Sequence, residues 1–163
     1  ETIRGNQMGL TDIKSMTFSE MKNEFLADGL PQFRARQVYG WLHRGVSSFD
    51  EMSNLSKELR AGLAGKYYIS VANIEKKQVS SYDSTVKYLF RLHDGEYVEA
   101  VLMKYRHGLS LCISTQVGCR MGCKFCASTI GGLERNLKAS EMLGQIYQIQ
   151  KISGERVSNV VVM

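Results

Sequence analysis

The sequence has little of what marks membrane, secreted or fibrous proteins. Pro31 is the only proline in 163 residues, which excludes a proline-rich linker or recognition tail. No apolar run approaches the roughly 18 residues that a membrane span needs, and the first residues lack the apolar core of a secretory signal. We therefore expect a cytoplasmic protein without a membrane partner. The balance of 44% hydrophobic and 23% charged residues predicts that it is globular.

Charge of one sign is nowhere concentrated. Lys and Arg exceed Asp and Glu by 21 to 16, for a net charge of +5, but no block of five or six like charges occurs. This balance is compatible with a polyanionic partner without demanding one. A nucleic-acid surface would therefore have to be assembled in three dimensions.

Cysteine is absent from all but one short segment, where Cys112, Cys119, Cys123 and Cys126 lie within 15 residues. A disulfide scaffold spreads its bridges along the chain, so this cluster indicates metal or redox chemistry in a reducing compartment. The last three cysteines form CxxxCxxC, and three thiolates this close suit an iron–sulfur cubane with one iron left free of protein ligands. A structural zinc site is the alternative, with Cys112 or His107 as fourth ligand, although no second ligand pair is present.

Hydrophobic periodicity predicts three helices over residues 10–68. The first follows the capping box at Thr17, the second opens at Pro31 with Val38, Trp41 and Leu42 buried, and the third follows the capping pattern at Ser48.

From Tyr68 the pattern alternates and predicts antiparallel strands, with a hairpin at Asp94-Gly95. A strand over 109–114, a helix over 140–152 and a buried parallel strand over 157–163 follow. We expect Met142, Leu143, Ile146, Ile149 and Ile152 to line one side of that helix. One βαβ unit is stable only within a larger sheet or barrel, so we expect an N-terminal fragment of a longer protein.

CxxxCxxC with an aromatic residue before its last cysteine resembles the radical S-adenosylmethionine superfamily. Further segments resemble one group of this superfamily, the dual-specificity methyltransferases that modify adenine carbon 2 in large-subunit ribosomal RNA and in transfer RNA. The similar segments are 33–35, 48–52, 55–57, 111–119, 126–132, 135–137 and 160–163, and the resemblance covers about residues 10–163.

The resemblance implies an α/β fold, the start of a partial (β/α) radical-SAM barrel preceded by a small helical module and an antiparallel β extension. The implied organisation is a leader over 1–9, a helical RNA-binding accessory module over 10–68, the β extension over 69–104 and a truncated core over 105–163.

The same resemblance implies the site residues. Cys119, Cys123 and Cys126 would hold a 4Fe-4S cluster whose open iron binds S-adenosylmethionine. Glu99 would accept a proton from the adenine, and Cys112 would form a transient disulfide that releases the product. Without the resemblance, Glu99 is a solvated strand carboxylate and Cys112 a small buried hydrophobe.

The implied partners are ribosomal RNA, transfer RNA and an electron donor such as flavodoxin. The methyl-carrying cysteine of the family is not among the four cysteines, so we expect that this chain alone cannot complete catalysis. Two alternatives stay open: the sister group that methylates carbon 8 of the same ribosomal adenine, and a non-catalytic zinc module that binds RNA.

Overall fold

The computed structural model describes residues 9–163, so residues 1–8 of the predicted leader lie outside the described part. The chain divides into two compact units, with the boundary between Ser70 and Val71. No helix in the described range is long and apolar enough to cross a membrane.

The first unit is built from helices that begin at polar caps. At the start of α1, the Thr17 hydroxyl accepts the backbone N–H of Glu20, and the Glu20 carboxylate accepts that of Thr17 at 2.7 Å. The elements are β1 (Thr11–Asp12), α1 (Phe18–Ala27), α2 (Gln32–Leu42), α3 (Lys57–Lys66) and β2 (Tyr67–Tyr68), with β1 and β2 paired in parallel. Fully buried side chains, among them Ile13, Met21, Phe25 and Val38, form its core.

The third helix does not begin where the sequence predicts. The capping box at Ser48 opens only a 3-10 turn, Phe49–Glu51, and α3 starts at Lys57 with Ser56 as its cap. Met52 and Leu55, between the turn and the helix, are both buried. Burial of two large apolar side chains outweighs the local preference to continue a helix.

Trp41 also departs from the prediction, because it is only partly buried. Its indole Nε1 donates to the Asn54 side chain at 2.6 Å, and the Arg44 guanidinium lies over its ring. The polar edge of the ring keeps a partner at the surface, as expected for tryptophan.

The second unit is a five-stranded sheet in the order β3-β4-β5-β6-β9. Neighbouring strands are antiparallel except for β9, which is parallel to β6. The elements are β3 (Asn73–Val79), β4 (Val86–Arg91), β5 (Tyr97–Tyr105), β6 (Gly108–Ile113), β7 (Gln116–Gly118), β8 (Leu133–Asn136), α4 (Ala139–Ser153) and β9 (Val157–Val162). Helix α4 joins β6 to β9, so the predicted βαβ unit is present.

One face of this sheet is a core face and the other is an open face. Ile149, Met142 and Ile146 of α4 belong to the same apolar cluster as Phe90 and Leu111 of the sheet. Side chains alternate along a strand, so the residues between the core positions point to the opposite, open face.

The buried side of α4 is more polar than predicted. Ser140, Glu141 and Gln145 are buried beside Ile149, whereas Ile152 is half exposed. Burial is tolerated because Glu141 and Gln145 are hydrogen-bonded, and Ser140 also has an interaction partner.

The last strand is parallel as predicted, but it is not buried. Val160, Val161, Val162 and Met163 are between 43% and 63% exposed. The reason is topological, because β9 is the edge strand of the described sheet.

The pattern of the sequence also missed a short two-stranded sheet. Strand β7 pairs antiparallel with β8, on either side of the cysteine segment. The cysteines therefore lie on a loop whose two ends are hydrogen-bonded to each other.

Candidate functional site

The cysteine loop, residues 119–132, is closed at its base by one backbone contact. The Cys119 N–H donates to the Gly132 carbonyl at 2.9 Å. Gly118 has a φ of +71°, and a Cβ there would lie 2.0 Å from the Gly132 carbonyl oxygen. Only glycine fits at Gly118 without moving the loop.

Within the loop, a tight turn relates the second and third cysteines of the motif. The Cys126 N–H donates to the Cys123 carbonyl at 3.0 Å. The Thr129 hydroxyl lies 2.9 Å from the Cys126 carbonyl and 3.2 Å from that of Cys123. Cys123 is exposed, Cys119 and Cys126 are half-buried, and all are free thiols.

The loop also exposes large apolar side chains. Met121 is 73% exposed, Phe125 95% and Ile130 86%. Three large apolar side chains this exposed within ten residues are compatible with a loop that binds a ligand or a partner.

The donor set of the loop suits an iron–sulfur cluster, but the three sulfurs are not gathered. Among residues 9–163, no three His, Cys, Asp or Glu side chains come close enough to hold one metal ion. The chemistry fits, because three thiols stand within eight residues on a loop closed at its base. The ligand roles of Cys119, Cys123 and Cys126 therefore stay a prediction.

Strand register places Glu99 and Cys112 together on the open face. Cys112 on β6 lies opposite Val101 on β5 and opposite Val161 on β9. Glu99 precedes Val101 by two residues, so it shares the face and is the diagonal neighbour of Cys112. Such neighbours are separated by about 7–8 Å.

Glu99 and Cys112 lie near the end of the sheet at which β6 and β9 finish, and the chain runs from this end into the cysteine loop. Strands β6 and β9 end there together: the Thr115 N–H donates to the Met163 carbonyl at 3.1 Å, and the Met163 N–H to the Ile113 carbonyl at 3.0 Å. The Ser114 hydroxyl donates to the backbone carbonyl of Glu99 at 2.7 Å. Carboxyl ends of parallel strands are the usual ligand-binding edge of α/β sheets.

The Glu99 carboxylate has a cationic neighbour that sequence reasoning missed. Lys87 Nζ lies 2.9 Å from Glu99 Oε1, with the two side chains 45% and 48% exposed. An ion pair this exposed adds little to stability and leaves the carboxylate accessible. The pairing follows from the β4–β5 register, which places Lys87 opposite Val101.

A second missed residue, Gln145, fixes the point where the chain leaves β6. Its side chain is fully buried; Oε1 accepts the Ser114 N–H at 3.1 Å, and Nε2 donates to the Ser114 carbonyl at 3.0 Å. A glutamine on the apolar side of an amphipathic helix was the available sequence signal.

Arg135 anchors the other end of the cysteine loop. Its two terminal nitrogens each contact the Glu141 carboxylate at 2.8 Å, and its Nε donates to Asp94 at 2.8 Å. Burial alone would raise the pKa of Glu141, but hydrogen bonds from Arg135 and the Lys138 N–H outweigh it, and the pKa is lowered. The contacts with Glu141 and Asp94 raise the pKa of Arg135. Strand β8 is thereby tied to α4 and to the β4–β5 turn.

Comparison with known proteins gives consistent results. Residues 11–69 match the ribosomal RNA large subunit methyltransferase N-terminal domain. The probable dual-specificity RNA methyltransferase RlmN of Lachnoclostridium phytofermentans is 61% identical over 153 residues, 93% of this chain and 43% of that protein. That of Alkaliphilus oremlandii is 53% identical over 93% of this chain and 44% of its own length. Nearly the whole chain is thus similar to the N-terminal part of proteins named as dual-specificity RNA methyltransferases.

A solved structure agrees with this similarity. The crystal structure of a radical SAM methyltransferase from Sphaerobacter thermophilus matches 93% of this chain with a TM-score of 0.82 and 34% identity. The expected fold, the start of a radical-SAM barrel preceded by a helical module and an antiparallel β extension, is confirmed. The chain covers 47% of that structure and less than half the length of the two curated relatives described.

Proposed function

We propose that this chain forms the N-terminal part of a cytoplasmic radical S-adenosylmethionine enzyme that methylates carbon 2 of adenine in large-subunit ribosomal RNA and transfer RNA. One observation carries the proposal: Glu99 and Cys112 share the open face beside the edge that bears the cysteine loop. Two curated relatives that are more than 50% identical to this chain, and that bear the name of dual-specificity RNA methyltransferases, support the substrate class.

Cys119, Cys123 and Cys126 would hold the 4Fe-4S cluster and leave one iron for S-adenosylmethionine. When bound, the cluster supplies the electron, ultimately from a donor such as flavodoxin, that cleaves S-adenosylmethionine to start radical chemistry. The protein's part is to fix the loop: the Cys119–Gly132 contact and the Arg135 ion pairs hold both of its ends.

Glu99 would accept the proton that carbon 2 of the adenine loses once the new carbon–carbon bond has formed. Its carboxylate is half exposed and in contact with Lys87, so an extruded adenine can reach it. The Ser114 hydroxyl holds the Glu99 backbone in place. Glu99 thus combines a fixed main chain with an accessible side chain.

Cys112 would release the product. Its thiolate attacks the sulfur of the thioether that links adenine to the methyl-carrying cysteine, so that a disulfide forms and the carbon–sulfur bond breaks with its electron pair on carbon, which then takes up a proton. The half-buried thiol lies diagonal to Glu99, so both groups face the same adduct. The methyl-carrying cysteine is not one of the four cysteines of this sequence, so we expect this chain alone not to complete a catalytic cycle.

Anaerobic reconstitution of the 163-residue chain with iron and sulfide tests the cluster. We expect a brown product whose iron content falls sharply in Cys119→Ser, Cys123→Ser and Cys126→Ser. Cys112→Ser is the matched control and should retain its iron, because Cys112 lies on β6 outside the loop. A colourless product containing zinc would favour the non-catalytic zinc module and contradict the proposal.

The full-length protein that contains this chain tests the reaction. Mass spectrometry of digested RNA should locate the new methyl on carbon 2 of adenosine, whereas a methyl on carbon 8 would assign the chain to the sister group. Glu99→Gln should abolish product while preserving the cluster. Unchanged turnover of Glu99→Gln would refute the role of Glu99.

A further inference from the structure

We propose that the open face of β3, β4 and β5 binds the phosphodiester backbone of the substrate RNA around Glu99. The proposal rests on the proposed function, since it takes RNA as the substrate. It concerns a surface of the β extension, apart from the cysteine loop.

Strand register surrounds Glu99 with cations. Leu89 on β4 lies directly opposite Glu99, so Lys87 and Arg91, two residues away on either side, are its two diagonal neighbours. Lys76 on β3 lies opposite Leu89 and therefore shares the same face. All three cationic side chains are exposed.

Cations outnumber acids on this face. Glu99, which pairs with Lys87, is its one carboxylate at a register-paired position of β3, β4 and β5, and Glu75 lies in the β-bulge beside Lys76. Within the described range, neither Lys76 nor Arg91 forms an ion pair. Two cations thus remain available for a polyanion.

RNA fits this arrangement better than a general anion does. An adenine presented to Glu99 brings its own phosphate and those of its neighbours within about one side-chain length, where Lys76 and Arg91 can contact them. Tyr97, two residues before Glu99 and 46% exposed, offers a ring on the same face for an unstacked base. The cations would position the strand, and Glu99 would meet the base.

The test measures binding of the 163-residue chain to a fluorescein-labelled RNA hairpin with an adenine in its loop, by fluorescence anisotropy over a range of KCl concentrations. The slope of log K against log salt is negative. Lys76→Gln and Arg91→Gln should each reduce its magnitude by about 0.7, and so weaken binding about fivefold at 0.1 M salt. Lys77→Gln is the matched control: Lys77 is exposed and adjacent in sequence, but it pairs with the buried Tyr88 and belongs to the other face.

Unchanged salt slopes in Lys76→Gln and Arg91→Gln would overturn the proposal, and so would an equal loss of RNA affinity in Lys77→Gln. Displacement of the RNA by poly-glutamate at the same charge concentration would also overturn it, because the face would then bind an acidic protein as readily as RNA. Thermal melts verify that the variants fold. RNA binding requires neither the cluster nor turnover. If Lys76→Gln and Arg91→Gln weaken RNA binding as expected but the full-length protein does not methylate RNA, the result counts against the proposed function and not against this RNA-binding surface.

Discussion

Replacing Gln145 by Met tests the contact that fixes the end of β6. Methionine keeps the length of the side chain and its helix propensity but removes both hydrogen bonds to Ser114. The backbone N–H and carbonyl of Ser114 then lose their partner inside the second unit.

The expected cost follows from leaving two polar groups unpaired. Each unsatisfied buried group costs roughly 1–3 kcal/mol, and since Ser114 is half-buried, the lower part of this range applies. We expect a loss of about 2–4 kcal/mol in the free energy of unfolding of residues 71–163. For a unit of this size, that lowers the Tm by roughly 10 °C or more.

Differential scanning calorimetry of the chain measures this loss. The matched control is Gln148→Met on the same helix, because Gln148 is half-buried and makes no side-chain hydrogen bond within residues 9–163. Gln148→Met should stay within about 0.5 kcal/mol of wild type. A Tm for Gln145→Met equal to that of wild type, or an equal loss in the control, would refute the reasoning.

The remaining predictions concern the two ends of the cysteine loop. Arg135→Gln should cost about 3 kcal/mol in denaturant titration at pH 7, because it removes the guanidinium that pairs with the buried Glu141 carboxylate and leaves only His93, 3.6 Å away, as a basic partner among residues 9–163; equal stability of variant and wild type would contradict this. Since the pKa of Glu141 is lowered in the folded state, its stabilisation is complete well above the ordinary glutamate pKa and is lost as the pH falls through the folded-state value, so Glu141→Gln should lose less stability than wild type on acidification from pH 7. Gly118→Ala should lower the iron bound on reconstitution far more than Gly122→Ala, because both glycines have positive φ but only at Gly118 does a Cβ meet backbone; equal losses would mean that backbone strain, not the close approach, matters.

Elements with local signals could be predicted from the sequence. The capping box at Thr17 begins α1, and Asp94-Gly95 forms the turn between β4 and β5. The alternation of apolar and polar residues after Tyr68 correctly predicts the antiparallel strands, because one face of that sheet is buried against α4. In each case the deciding interaction lies within a few residues or repeats with a regular period.

Elements decided by distant packing could not be predicted. The capping pattern at Ser48 was overridden by burial of Met52 and Leu55. The hydrophobic pattern predicts Ile152 on the buried side of α4, but Ile152 is half exposed. Gln145 is buried instead, because it is hydrogen-bonded to Ser114, 31 residues earlier. A hydrophobic pattern does not record which polar residue will find a distant partner.

The candidate site divides in the same way. The spacing of the cysteines predicts a ligand set without any knowledge of the fold. The ion pairs Lys87–Glu99 and Arg135–Glu141 could not be predicted, because they depend on strand register and on contacts between elements.

The two halves of the site differ in how firmly the fold holds them. Glu99 and Cys112 lie on paired strands, so the sheet fixes their separation before any cofactor binds. In the cysteine loop, by contrast, the base is closed by the Cys119–Gly132 contact and Arg135 ties the adjoining strand β8 to α4, but the three sulfurs are not gathered. Binding of a cluster by all three cysteines would therefore require a rearrangement that brings their sulfurs together, whereas the strands that carry Glu99 and Cys112 are already paired.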